Sequence, residues 1–93
     1  MEFTCPKDEE RNEKRLKHEQ EWAFPYVKKK IKEGVKWKYL ALTDGTGRMF
    51  GLSTFETMED FGKVWEDMDF KQGISSLSYL VDDFSIRLLR EII

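Results

Sequence analysis

The sequence predicts an α+β domain in which an antiparallel β-sheet carries its helices on one face. Three observations predict it. The segment from Val35 to Phe55 reads as two strands joined at Asp44-Gly45-Thr46-Gly47. Segments with apolar residues at helical spacing lie before it and after it. Last comes an alternating run in which Phe84, Ile86 and Leu88 are separated by Ser85 and Arg87. A length of 93 residues suits one domain over 1–93, of which 7–21 is a highly charged helical part.

In chain order, Glu2-Phe3-Thr4-Cys5 before Pro6 allows a first strand that is short or absent. From Asp8 to Gln20 nearly every residue is polar, with the acid first at the spacings Glu10/Lys14 and Glu13/Lys17 that favour a helix. Leu16, Trp22, Ala23, Tyr26, Val27 and Ile31 then make that helix amphipathic, and Pro25 predicts a kink or a fresh start near residue 24. Gly34 is its stop signal. The hairpin follows. A loop symmetric about Gly45-Thr46 would set Trp37 and Tyr39 on one face with Phe50 and Leu52, and Leu40 and Leu42 on the other with Met49 and Phe55. Either register leaves large apolar groups on both faces.

Thr57 is a fitting N-cap, with Glu59 and Asp60 in the first turn of a helix whose stripe is Met58, Phe61, Val64, Trp65 and Met68. A break at Asp67-Met68-Asp69 leads to a second helical segment, Phe70 to Tyr79, anchored by Phe70, Ile74 and Leu77. Beyond Asp82-Asp83 a closing strand is expected to run to Ile93.

This order of elements is a split βαβ arrangement, the ferredoxin-like plan. Its helices shelter one face of the sheet, so the apolar groups on the other face call for a cover. A second copy of the same sheet related by a two-fold axis is the simplest one, and a homodimer is expected.

From Trp37 onward the chain resembles the dimeric α/β-barrel superfamily, which includes the antibiotic-biosynthesis monooxygenases and related small stand-alone proteins. The resemblance rests on the hairpin, on Ser53-Thr54-Phe55-Glu56-Thr57-Met58-Glu59-Asp60 opening a helix, on Asp69-Phe70 and on Asp83-Phe84-Ser85-Ile86-Arg87. It implies two sheets paired into a barrel and a monooxygenase-like reaction that needs no cofactor. The haem-degrading branch would need a histidine in the cleft between helices and sheet, and no candidate stands there.

Composition bounds the function further. The chain is 40% hydrophobic and 37% charged with a formal charge of -2, a balance that suits a folded domain and exerts no global pull on nucleic acid or anionic membrane. Its apolar runs fall far short of the roughly twenty residues a membrane span needs. The single cysteine, Cys5, excludes an internal disulfide and fits a cytoplasmic setting.

No catalytic constellation is evident. His18, the only histidine, sits in the most polar part of the first helix, and one imidazole supplies neither a histidine metal cage nor a triad of several. Asp67, Asp69, Asp82 and Asp83 read as caps and turn acids, and no metal or other cofactor is implied. Two surfaces remain. Trp22, Tyr26, Trp37, Tyr39, Trp65 and Phe70 offer aromatic walls for a small apolar or aromatic molecule, or fill the core and the dimer seam. Lys28, Lys29, Lys30, Lys32, Lys36 and Lys38 form a basic patch that could meet a polyanion, or simply solvate a helix. The expected function is therefore binding of a small apolar molecule by a homodimer, with a non-catalytic interaction or regulatory module as the alternative.

Overall fold

A computed structural model describes residues 1–88. Its sheet comprises β1 (Glu2–Thr4), β2 (Trp37–Thr43), β3 (Arg48–Phe55) and β4 (Asp82–Ser85), and its helices are α1 (Glu9–His18), α2 (Phe24–Lys32), α3 (Met58–Trp65) and α4 (Met68–Leu80). The strand order β2-β3-β1-β4, antiparallel at every junction, is compatible with the ferredoxin-like plan. The first strand is present. Although only three residues long, it lies inside the sheet, pairing Phe3 with Met49 on one side and Glu2 with Ser85 on the other. The closing strand ends at Ser85, short of the expected extent: Ile86 to Leu88 are not strand, and 89–93 lie outside the described residues.

The hairpin pairs one residue out of the symmetric expectation. Trp37 lies opposite Phe55, Leu40 opposite Leu52 and Thr43 opposite Met49, so the turn pivots on Thr46. Local chemistry sets this pivot. Gly45 and Gly47 take φ values of 82° and 91°, a region that favours glycine, and the Asp44 carboxylate accepts from the Thr46 amide at 2.9 Å. Trp37, Tyr39, Met49 and Phe55 consequently share the face that carries the helices. Leu40, Leu42, Phe50 and Leu52 share the opposite face, correcting the placement of Phe50 and Leu52 beside Trp37.

Asp8 caps α1 through the Glu10 amide at 2.9 Å. The expected break at Pro25 takes the form of a π-helical turn, Glu19–Ala23, leading directly into α2. Proline lacks the N–H that would bond the carbonyl four residues back, and its ring crowds that carbonyl. A wider turn relieves the crowding, and the Phe24 amide bonds Glu19 instead. Thr57 caps α3 by accepting from the Asp60 amide at 3.1 Å, while Asp67 caps α4 from the Asp69 amide, also at 3.1 Å.

The core falls into two clusters under the helices. Tyr26, Val35, Trp37 and Val64 form one, and Phe3, Leu77 and Val81 form the other. Met58 and Met68, placed by periodicity in the buried stripe, are largely exposed, because each is the first residue of its helix and projects beyond the packed turns.

Candidate functional site

Aromatic side chains organise the larger cluster. Tyr26 meets Trp37 edge-on at 6.2 Å, Trp37 stacks on Phe55 at 5.2 Å, and the series continues through Phe61, Trp65 and Phe70 back to Tyr26. Trp22 joins it by stacking on Tyr26 at 5.1 Å. Five of the six aromatic candidates, Trp22, Tyr26, Trp37, Trp65 and Phe70, thus belong to one assembly between helices and sheet. Trp37 is buried and its indole N–H has no acceptor among the described residues.

Asp67 ties this assembly to α2. Its carboxylate accepts from the Tyr26 hydroxyl at 2.7 Å and lies 2.9 Å from Lys30 Nζ. The Tyr26 hydrogen bond, followed by that of Lys30, holds the Asp67 carboxyl down at about 2. Burial, reinforced by the same carboxylate, pushes the Tyr26 phenol well above its ordinary value, so this hydroxyl is a fixed donor.

Two open grooves flank α2. The larger, about 270 Å³, lies against β2 and is lined by Phe24, Val27, Lys28, Ile31 and Tyr39. The other, about 190 Å³, faces α4 and is lined by Glu21, Trp22, Pro25, Tyr26, Lys29 and Asp69. Both fall below the roughly 300 Å³ at which drug-sized pockets begin, so either suits a molecule of about one ring. Tyr39, the sixth aromatic candidate, stands apart from the other five and forms the sheet side of the larger groove. Its hydroxyl lies over the bare α-carbon of Gly51, and burial raises its phenol with a smaller contribution from the Glu19 carboxylate.

The basic patch divides. Lys30 is held by Asp67, and Lys36 lies 3.6 Å from Glu56, whereas Lys28, Lys29, Lys32 and Lys38 make no ion pair among the described residues. His18 packs on Trp22 at 5.2 Å; burial lowers its pKa against the opposing pull of the Gly73 carbonyl. Cys5 is a half-buried thiol beside the smaller core cluster. No group of three His, Cys, Asp or Glu side chains is placed to hold a metal ion among the described residues.

Arg15 escaped sequence reasoning. It is only 7% exposed, with Nε donating to Asn12 at 3.0 Å and Nη1 lying 3.5 Å from Glu19. Its neighbours in the sequence are polar except Leu16, and the available signal was the spacing of Arg11, Arg15 and Trp22, which share a helix face. Arg11 on that face reaches Asp82 at 3.2 Å and the Val81 carbonyl at 3.2 Å, docking α1 on the end of α4.

The remaining surface of interest is the sheet face away from the helices. Leu40, Leu42 and Leu52 are each about half exposed there (53%, 51% and 49%), with Phe50 among them. Beside this apolar half lies a charged one, where Glu2 bridges Arg48 at 2.9 Å and Arg87 at 3.2 Å. No helix among the described residues is long and apolar enough to cross a membrane. Compared with known proteins, the chain matches no family model, no curated protein and no solved structure.

Proposed function

We propose that this protein is a self-associating binding module. A second copy covers the helix-free sheet face, and the groove between α2 and β2 takes a small, largely apolar aromatic molecule. The observation that carries the reading is the exposed trio Leu40, Leu42 and Leu52 with the half-buried Phe50 beside it, since apolar surface gathered on one face favours burial at about 25 cal/mol per Å². A two-fold axis through these residues would make the patch its own complement. The adjoining charges do not oppose this, because Glu2 already neutralises part of the Arg48 and Arg87 pair.

The groove fits its ligand by composition. Phe24, Val27 and Ile31 supply apolar walls, and Lys28 and Tyr39 are the polar groups at its rim, favouring an aromatic ring that bears an acceptor or an anion.

Sedimentation equilibrium tests the assembly: the parent chain should weigh as a dimer or higher assembly, and Leu52→Lys should weaken it. A parent that stays monomeric at high concentration ends the reading. An anionic naphthalene dye tests the groove, with Phe24→Ala and Tyr39→Ala expected to lower its affinity about tenfold. Unchanged affinity in both variants removes the ligand part. A second reading, contact with a polyanion, draws on Lys28, Lys29, Lys32 and Lys38, which make no ion pair among the described residues. It requires retention on a nucleic-acid column that falls steeply with salt and is lost in Lys29→Glu/Lys32→Glu.

A further inference from the structure

β2 is an outer strand of the sheet, and its free side can be specified residue by residue. The Glu56 amide donates to the Lys36 carbonyl at 3.2 Å. Bonded and non-bonded pairs alternate along an antiparallel ladder, so Lys38/Thr54, Leu40/Leu52 and Leu42/Phe50 are the pairs that turn their peptide groups toward each other. On the far side of β3, Gly51 exchanges bonds of 2.8 and 3.0 Å with Met1, which places Gly51 in the opposite set and agrees with this alternation. The N–H and C=O groups of Trp37, Tyr39, Ala41 and Thr43 therefore point to the open edge.

This edge is also apolar above and below. Leu40 and Leu42 are exposed on the helix-free face, and Tyr39 with Phe24 and Ile31 of α2 are exposed on the other. A long edge strand with apolar side chains on both faces is a template for another strand. We infer that β2 pairs antiparallel with β2 of a second copy, about a two-fold axis through Leu40, the middle residue of the strand.

The register follows from full overlap. Trp37 meets the partner's Thr43 and Tyr39 meets the partner's Ala41, all from the outward-facing set, giving about eight interchain hydrogen bonds. Charge complementarity favours a second copy as the partner. Lys36, just before the strand, comes opposite the partner's Asp44, just after it, and the pair occurs twice. Lys38 faces the partner's Leu42 and meets no like charge. A slip of two residues in either direction would shorten the ladder; one direction removes the ion pairs and the other sets Lys38 in place of Lys36 opposite Asp44, so strand overlap decides the register. Because this contact uses the edge of the sheet, it can coexist with the face contact proposed above.

Disulfide trapping in a Cys5→Ser background tests the inference. Leu40→Cys would face its own copy at a non-bonded position, with Cα atoms about 4.5 Å apart, within disulfide reach. Leu42→Cys would lie four residues along the strand from its copy, about 13 Å away. Mild oxidation is expected to convert most Leu40→Cys chains to a covalent dimer and at least tenfold fewer Leu42→Cys chains. Adding Ala41→Pro, which removes an outward N–H and spares the β2–β3 ladder, should suppress trapping of Leu40→Cys. Adding Leu52→Lys, which attacks the face contact, should leave it intact, so the two contacts fail separately. The inference is overturned if Leu40→Cys stays monomeric, if Leu42→Cys traps as readily, or if Ala41→Pro changes nothing while circular dichroism shows the fold retained.

Discussion

The indole of Trp22 rests on the bare α-carbon of Gly73, in the volume that a Cβ at position 73 would fill. This contact seats the π-helical turn on α4 and makes a glycine in the interior of a helix useful despite its cost in helix propensity. Gly73→Ala should lower stability by about 1–3 kcal/mol, overpacking outweighing the propensity gain of about 1 kcal/mol. Gly62→Ala in α3, where a Cβ meets nothing within 4 Å, should instead raise stability by up to about 1 kcal/mol. Urea unfolding of the two variants, followed by tryptophan fluorescence, checks the opposite signs.

Asp67 should make the fold sensitive to acid. Its carboxyl is held at about 2, below the ordinary 3.8, so its contribution is fully present above about pH 4 and is lost as pH falls through 2. Allowing for partial exposure, that contribution is on the order of 1 kcal/mol. Asp67→Asn should flatten stability against pH between 4 and 2, and Tyr26→Phe should cost about 1–2 kcal/mol at neutral pH by removing a hydrogen bond to a charged group. Thermal unfolding across that range is the measurement.

His18 acts in a higher window. Burial disfavours its charged form in the folded chain, so the unfolded chain binds the proton more readily. Stability associated with His18 is fully present above its ordinary 6.5 and declines as pH falls below it. His18→Gln should reduce the drop in melting temperature between pH 7.5 and pH 5, leaving the drop below pH 4 to Asp67.

Gly51 controls the position of Tyr39. A Cβ there would lie 3.0 Å from the Tyr39 hydroxyl and 3.2 Å from the Met1 methyl, both far ends of flexible side chains. Gly51→Ala should therefore cost under about 1 kcal/mol in stability while displacing the Tyr39 ring from the groove wall. A weaker anionic naphthalene dye titration with a nearly unchanged urea midpoint is the expected outcome.

The hairpin, the helical segments and the caps at Thr57 and Asp67 were legible because each is written locally: paired glycines at the turn, Thr57 and Asp67 ahead of apolar stripes, Pro25 at a helix start. The hairpin register was not, since a one-residue slip leaves each strand's own pattern unchanged and the pivot is decided by the Asp44 and Thr46 hydrogen bond. The reduced first strand could be recognised only by its partners, as three residues carry no periodicity. Of the aromatic candidates, sequence identified the rings and could not tell the five that pack together from Tyr39 at the groove, because that distinction depends on which strand neighbours α2. Arg15 was hidden by its polar surroundings: burial of a charge is a tertiary event, made possible by Asn12 and Glu19 one turn to either side.

The short inner strand has a kinetic consequence. β1 bridges β3 and β4, and its partners, Phe50 and Ser85, lie in segments far along the chain from Glu2. The β2–β3 hairpin can zip from its own turn, but joining it to β4 must await closure of two large loops, a slow step whose entropic cost precedes any reward. Folding should thus proceed through a hairpin-first species, and substitutions at Phe3 should retard the final docking far more than they disturb the hairpin.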